Sequence, residues 1–209
     1  MTTPWHEAPL VALDLEGSGG QDREQEAILE LAAVPLRDGR PDQQSAYVTL
    51  INPGRPIPQR PWISPGLTHE VLRTAPPLHQ VAGHITGMLT GRWIVGHNIG
   101  VDWRLLHRRL PDLHPAGLID TLMLARAAGM DGGRSLTALT DRAGLSPTLR
   151  TTVRDSQPHR ALWDATGAAL LLAWLIDQYW PGRTPTLDDL RTITGIDTNP
   201  PSETQVRLF

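Results

Sequence analysis

The apolar run VALDLEG at Val11–Gly17 ends in two carboxylates one residue apart, Asp14 and Glu16. Side chains on a strand alternate between faces, so both carboxylates point the same way. Buried side by side they repel, and a proton or a cation must relieve the repulsion; oxygen ligands of this kind suit Mg²⁺ or Mn²⁺. Alone, the pair also reads as a strand ending in a solvated polar turn. Three residues elsewhere add to it: Asp102 at the start of a helix after WIVGHN, Asp164 inside the apolar run ALWDATGAALLLAW, and His159 five positions before Asp164. Each has a structural alternative: Asp102 favouring a helix N-terminus, Asp164 on an exposed helix face, and His159 as a cap or core histidine. The apolar residues on both sides of Asp164 argue for burial, and a buried carboxylate wants a cation. Four carboxylates and a histidine fit two-metal-ion phosphodiester chemistry, with divalent ions about 3.5–4 Å apart clamping a scissile phosphate. Asp14, Glu16, Asp102 and Asp164 would hold the ions, and His159 would be the general base, since imidazole ordinarily titrates near neutrality.

Composition bounds the setting of these groups. With 209 residues and 40% hydrophobic content, the chain suits one ordinary core with a short appendage. Cysteine is absent, which excludes disulfides, thiol catalysis and cysteine zinc sites and leaves oxygen and histidine as metal ligands. The net charge of -3 supplies no global cationic field, so nucleic acid would be met by a local arginine cluster or through bound metal. All 19 basic residues are arginine, a usage that matches the codon bias of a GC-rich genome. The opening MTTPWHEAP lacks a basic region followed by a long apolar stretch, and no window approaches a membrane span. The expectation is a soluble, cytoplasmic protein with no membrane association.

The elements that must position the carboxylates follow from the pattern. VALDLEG, AILELAAVPL and SAYVTLI read as three strands joined by turn-rich segments, an antiparallel meander. The proline-rich NPGRPIPQRPWISPG is too broken for either regular element. Two helices follow, the first capped by Thr68 and the second carrying Leu78, Val81, Ile85 and Leu89 at helical spacing. Strand and helix then alternate: WIVGHN, VDWRLLHRRL, the short strand in PAGLIDT, a helical run through Ala128, and SLTALTDRAGL closed by Gly144. HRALWDATGAALLLAWLIDQYW is a long helix, apolar almost all round, that should be buried against the sheet. PTLDDLRTITGI forms one more helix, and DTNPPSETQVRLF has the composition of a flexible extension. The sum is an α/β layered domain with a mixed sheet.

In this order the segments resemble the DEDDh family of 3′→5′ exonucleases, which includes bacterial DNA polymerase III proofreading (epsilon) subunits and ribonuclease T. The resemblance runs from about Leu10 to Trp180. VALDLEGSG is similar to the first motif, IVGHNIGVDWRLL to the second and HRALWDATGAALLL to the third, whose His-x4-Asp spacing selects His159 and Asp164. The sister subgroup has Tyr-x3-Asp in the third motif, and Arg160 stands where its tyrosine would be. The resemblance implies a ribonuclease H-like exonuclease domain over 8–181, with a central mixed five-stranded sheet flanked by helices. It implies a Mg²⁺- or Mn²⁺-dependent 3′→5′ exonuclease on single-stranded or frayed 3′ ends of DNA, in proofreading or repair; RNA ends are the alternative substrate. It also implies terminal-nucleotide contacts from Leu15, Ser18 and Asn98, a structural role for Asp120, and a DNA polymerase subunit as a partner. A binding module without turnover is the reading of another class. The chain departs from the family at Gly17 and Ser18, where two threonines are common, and at Pro65-Gly66-Leu67, where many members have His-Gly-Ile.

A groove beside the sheet must admit the polymer end, with Trp62 a candidate stacking platform and Arg104, Arg108 and Arg109 either phosphate contacts or a solvated helix face. The last five residues resemble the pentapeptide by which bacterial replication proteins bind the β sliding clamp. That resemblance assigns Gln205, Leu208 and Phe209 to partner binding, on a short helix and flexible tether over 182–204.

Overall fold

The computed structural model describes residues 3–19, 25–58, 60–130, 132–196 and 198. Gln205, Leu208 and Phe209 lie outside the described residues. The sheet is built on β1 (Leu10–Gly17), which pairs antiparallel with β2 (Ile28–Arg37) and parallel with β5 (Trp93–Gly96). Beyond β2 lie the two-residue β3 (Arg40–Pro41) and β4 (Tyr47–Leu50), both antiparallel to it. Beyond β5, β6 (Gly117–Asp120) runs parallel and the two-residue β7 (Gly195–Ile196) antiparallel. The mixed sheet thus contains the five expected strands, extended among the described residues to seven by β3 and β7. Neither addition has enough residues to show a period-two pattern.

Helices cover both faces: α1 (His69–Leu72), α2 (Leu78–Leu89), α3 (Gly100–Arg109), α4 (Thr121–Ala127), α5 (Leu136–Arg142), α6 (Ser146–Thr152), α7 (Ala161–Tyr179) and α8 (Leu187–Thr194). The alternation of β1 separates two cores. Leu10 and Ala12 pack with Ala32 and Val34 of β2 under Ala165, Ala169 and Leu172 of α7. Val11, Leu13 and Leu15 pack on the opposite face with Ile85 and Leu89 of α2 and Trp103 and Leu106 of α3. Because both faces are covered, β1 reads as a nearly continuous apolar run. The alanines of α7 let its backbone lie close to the sheet, which explains a helix apolar on most sides. Gly117 is required by close packing: a Cβ there would lie 2.1 Å from the Trp93 ring.

The α7 face continues along β1 from Leu10 and Ala12 to Asp14 and Glu16, since all four are even-numbered positions of one strand. This parity aims both carboxylates at the first turn of α7. The segment after Pro181 belongs to the same packing: α8 carries the capping box of Thr186 and Asp189 and buries Leu187 and Leu190 in the α7-side core, while β7 extends the sheet. No helix among the described residues is long and apolar enough to cross a membrane.

Candidate active site

Carboxylate oxygens of Asp14, Glu16 and Asp164 all lie within 4.8 Å of one another, the one such group of potential metal ligands among the described residues. β1 delivers the first two, and the first turn of α7 delivers Asp164 across the sheet face. Asp102, in the first turn of α3, is outside that group but joined to it through the backbone: its Oδ1 accepts the Leu15 N–H at 3.1 Å. All four residues are half-buried.

Their titration reflects crowding. Burial, then the charges of Asp102, Asp164 and Glu16, hold the Asp14 carboxyl well above its usual range. Burial pushes Glu16 up to about 7, against the hydrogen bond donated by Ser64, which pulls it down. Burial likewise pushes Asp102 to about 7, opposed by the Leu15 N–H. Burial raises Asp164 to about 6, opposed by the nearby His159 imidazole and a hydrogen bond from the His159 backbone N–H. Four carboxylates that resist ionisation in the protein alone fit a hard divalent cation, because the donors are all oxygen and the ion's charge removes the repulsion.

His159 is exposed and precedes α7 in the left-handed region, at φ 64°, where histidine is found more often than most non-glycine residues. The residue after it is tied to β2. Arg160 donates from Nε to Glu30 Oε2 at 2.8 Å and from a terminal nitrogen to Oε1 at 2.6 Å. The same Glu30 accepts the Ala161 N–H at 3.2 Å, so a residue of β2 caps the N-terminus of α7, whose own Arg160 cap position supplies no side-chain bond. Glu30 lies directly across from Glu16 in the β1–β2 register and is 3% exposed. A forked, two-bond ion pair therefore pins the residue between His159 and α7 to the strand beside the carboxylates. Because Arg160 makes its short bonds to Glu30, its charge only modestly offsets that of Glu16.

The remaining sequence candidates occupy the same end of the sheet. Leu15 is buried and its N–H is engaged by Asp102. Ser18 accepts the Ala27 N–H on Oγ at 2.9 Å. Asn98 is exposed at φ 60°, which asparagine tolerates, and donates its N–H to Asp120 Oδ1 at 2.9 Å. Asp120 also accepts the Leu122 N–H at 2.8 Å as the cap of α4, so its carboxylate is committed to the backbone and stands outside the metal-ligand group. Trp62 is 48% exposed. Motif spacing assigns no role to Glu30, Arg160 or Ser64. Glu30 was recoverable in principle, since pairing β1 with β2 sets it opposite Glu16, but the partners of Glu30 and Ser64 lie 130 and 48 residues away.

The family profile described as Exonuclease (RNase_T) matches residues 11–172. The chain is 30% identical over 171 residues to a DNA polymerase III subunit epsilon-like protein of Rhodobacter capsulatus, covering 80% of this chain and 23% of that protein. It is 28% identical over 193 residues to the 3′-5′ exonuclease DinG of Bacillus subtilis, covering 88% of this chain and 19% of the relative. The chain thus spans less than a quarter of the length of these relatives. Among solved structures, exonuclease X in complex with 5′ overhanging duplex DNA superposes with a TM-score of 0.62 at 26% identity, over 87% of this chain and 98% of that one. The mixed sheet, the carboxylates it gathers and a profile matched over most of the length agree: the chain belongs to the exonuclease family.

Proposed function

We propose that the protein is a metal-dependent 3′→5′ exonuclease that removes nucleoside 5′-monophosphates from DNA 3′ ends, in proofreading or repair. The observation that carries this reading is the convergence of Asp14, Glu16 and Asp164 within 4.8 Å, with Asp102 bonded to the Leu15 N–H beside them and Asp164 hydrogen-bonded by the His159 backbone. Asp14, Glu16, Asp102 and Asp164 would hold two Mg²⁺ or Mn²⁺ ions. When bound, such ions lower the pKa of water and stabilise the charge of a departing 3′ oxygen. The protein's own share is positioning and proton transfer. His159, presented on an exposed turn, accepts the proton of the attacking water and returns it to solvent. The Glu30–Arg160 pair fixes the backbone on which that imidazole rides, and Ser64 orients Glu16. Leu15, Ser18 and Asn98 line the approach to the terminal nucleotide from the first and second motifs.

DNA is favoured over RNA because exonuclease X was captured on a DNA duplex and the curated relatives include a DNA polymerase III subunit epsilon-like protein. A polymerase subunit is the corresponding partner, and the Gln205, Leu208 and Phe209 tail is the proposed attachment to the β sliding clamp. Isothermal titration with Mg²⁺ and Mn²⁺ tests the ligand set: Asp164→Asn should weaken binding together with turnover, and equal affinity in the two proteins would overturn the assignment. Matched DNA and RNA oligomers as substrates test the polymer, and faster hydrolysis of RNA would overturn the choice of DNA.

A further inference from the structure

A cavity that adjoins the carboxylates shares one arginine with a second that opens on the α2 and α3 side of the sheet. The first, about 190 Å³, is lined by Ser18, Gly19, Arg55, Arg60 and Trp62, among others. It adjoins the site through the chain on both sides: Ser18 lies two residues past Glu16, and Trp62 two residues before Ser64, whose hydroxyl donates to Glu16. Trp62 covers Gly19 so closely that a Cβ there would lie 2.2 Å from the indole nitrogen, and its N–H reaches the Ser18 carbonyl at 3.4 Å. The indole is therefore fixed in place while 48% exposed, and the Arg60 guanidinium sits 5.8 Å from its ring centre. The second cavity, about 320 Å³, is lined by Arg55 again, Gln25, Ala27, Leu78 and Arg109. Its wall is bonded to the first: Ala27 donates to Ser18 Oγ at 2.9 Å, and Arg55 donates to the Gln25 carbonyl at 2.8 Å. Arg109 is held by the Glu26 carbonyl.

Three arginines and no carboxylate line the two cavities among the described residues. Positive charge concentrated along a path in a chain of net charge -3 calls for a polyanion. Resting on the exonuclease reading, we propose that the single strand upstream of the scissile bond follows this path. One base stacks on Trp62, and successive phosphates meet Arg60, then Arg55, then Arg109. The carboxylates read the 3′ end, and the arginine path sets how many nucleotides must precede it.

The test compares two substrates that share the site but differ in length: the p-nitrophenyl ester of thymidine 5′-monophosphate, and a single-stranded oligothymidylate of about eight nucleotides, a length on the scale of single-strand site sizes. The readout is the ratio of kcat/KM for the oligomer to that for the ester. Arg55→Ala and Arg109→Ala should each lower the ratio about tenfold and reduce the slope of log affinity against log salt by about 0.7, the value for one phosphate contact on a single strand. Trp62→Ala should lower the ratio about tenfold while leaving the salt slope unchanged, because stacking releases no counterions. Arg109→Lys keeps the charge and should restore most of the slope, which separates a phosphate contact from loss of the Glu26 support. Unchanged ratio and slope in both arginine-to-alanine variants would overturn the path. Failure of the wild-type protein to hydrolyse either substrate would instead overturn the exonuclease reading on which it rests.

Discussion

Replacing Asp102 with asparagine should stabilise the metal-free protein at alkaline pH while abolishing its activity. Asp102 is raised from an ordinary 3.8 to about 7, chiefly by burial. At 1.36 kcal/mol per pH unit, ionising it in the folded protein costs at most about 4 kcal/mol above pH 7. Sharing that repulsion with Asp14 and relaxing the surroundings leave about 2 kcal/mol. Asparagine keeps an oxygen to accept the Leu15 N–H and carries no charge. For a domain of this length, about 2 kcal/mol corresponds to a Tm rise of roughly 4–8 °C. The sign follows from linkage: a carboxyl whose folded pKa is raised destabilises fully above that pKa, partly between the two values and not at all below the unfolded one. Scanning calorimetry in chelator at about pH 8 should therefore show Asp102→Asn melting higher than wild type, and the gain should shrink by about a third at about pH 5 and nearly vanish at about pH 3. Excess Mg²⁺ should raise wild type more than the variant, because binding to the folded state alone stabilises it. A variant that melts lower at each of these pH values by the same amount would refute the claim that the carboxylate is held against its preference.

Arg160→Ala leaves Glu30 buried without its partner; with Arg160 partly exposed, the expected cost is about 2 kcal/mol, below the range for a fully buried pair, read by urea unfolding. Its kcat should fall about a hundredfold through displacement of His159, and Arg160→Lys, which cannot form the fork, should recover less than half of the loss in logarithmic terms. Ser64→Ala removes the hydrogen bond that lowers the Glu16 carboxyl, so the acidic limb of the pH–rate profile should move up and Mg²⁺ affinity should fall about tenfold. Gly117→Ala drives a Cβ into the Trp93 ring and should cost about 2 kcal/mol in melting experiments, with kcat retained at low temperature.

The lines of the fold were legible where one residue type repeats with a period. The five long strands, the Thr68 cap and the burial of α7 follow from local pattern, and the parity of Leu10, Ala12, Asp14 and Glu16 is enough to place the two carboxylates on one face. β3 and β7 span two residues each and have no period to detect, and α6, with Pro147 and three threonines, has no apolar period of its own and packs through Leu149 with Val153 and Trp163. Asp14, Glu16 and Asp164 converge as motif spacing implies, whereas Asp102 stands one backbone hydrogen bond away. What spacing could not give was support from distant residues. Glu30 caps a helix that begins 131 residues later, and Ser64 sits in a proline-rich loop with no period, so neither advertises its partner. Trp62 and Arg109 stood out as types, but their joining by way of Arg55 into one wall is a property of the folded loops alone.

The central claim is that these residues remove nucleotides from a 3′ end with divalent metal. A 5′-labelled single-stranded DNA oligomer, incubated with Mg²⁺ or Mn²⁺ and resolved on a gel, tests it directly. Chelator and His159→Asn serve as controls, asparagine being chosen because it adopts the left-handed backbone of position 159 without added strain. The account predicts a ladder shortening one nucleotide at a time from the 3′ end, abolished by chelator and slowed by orders of magnitude in the variant. An intact oligomer with either metal, or an equal ladder from His159→Asn, would contradict it.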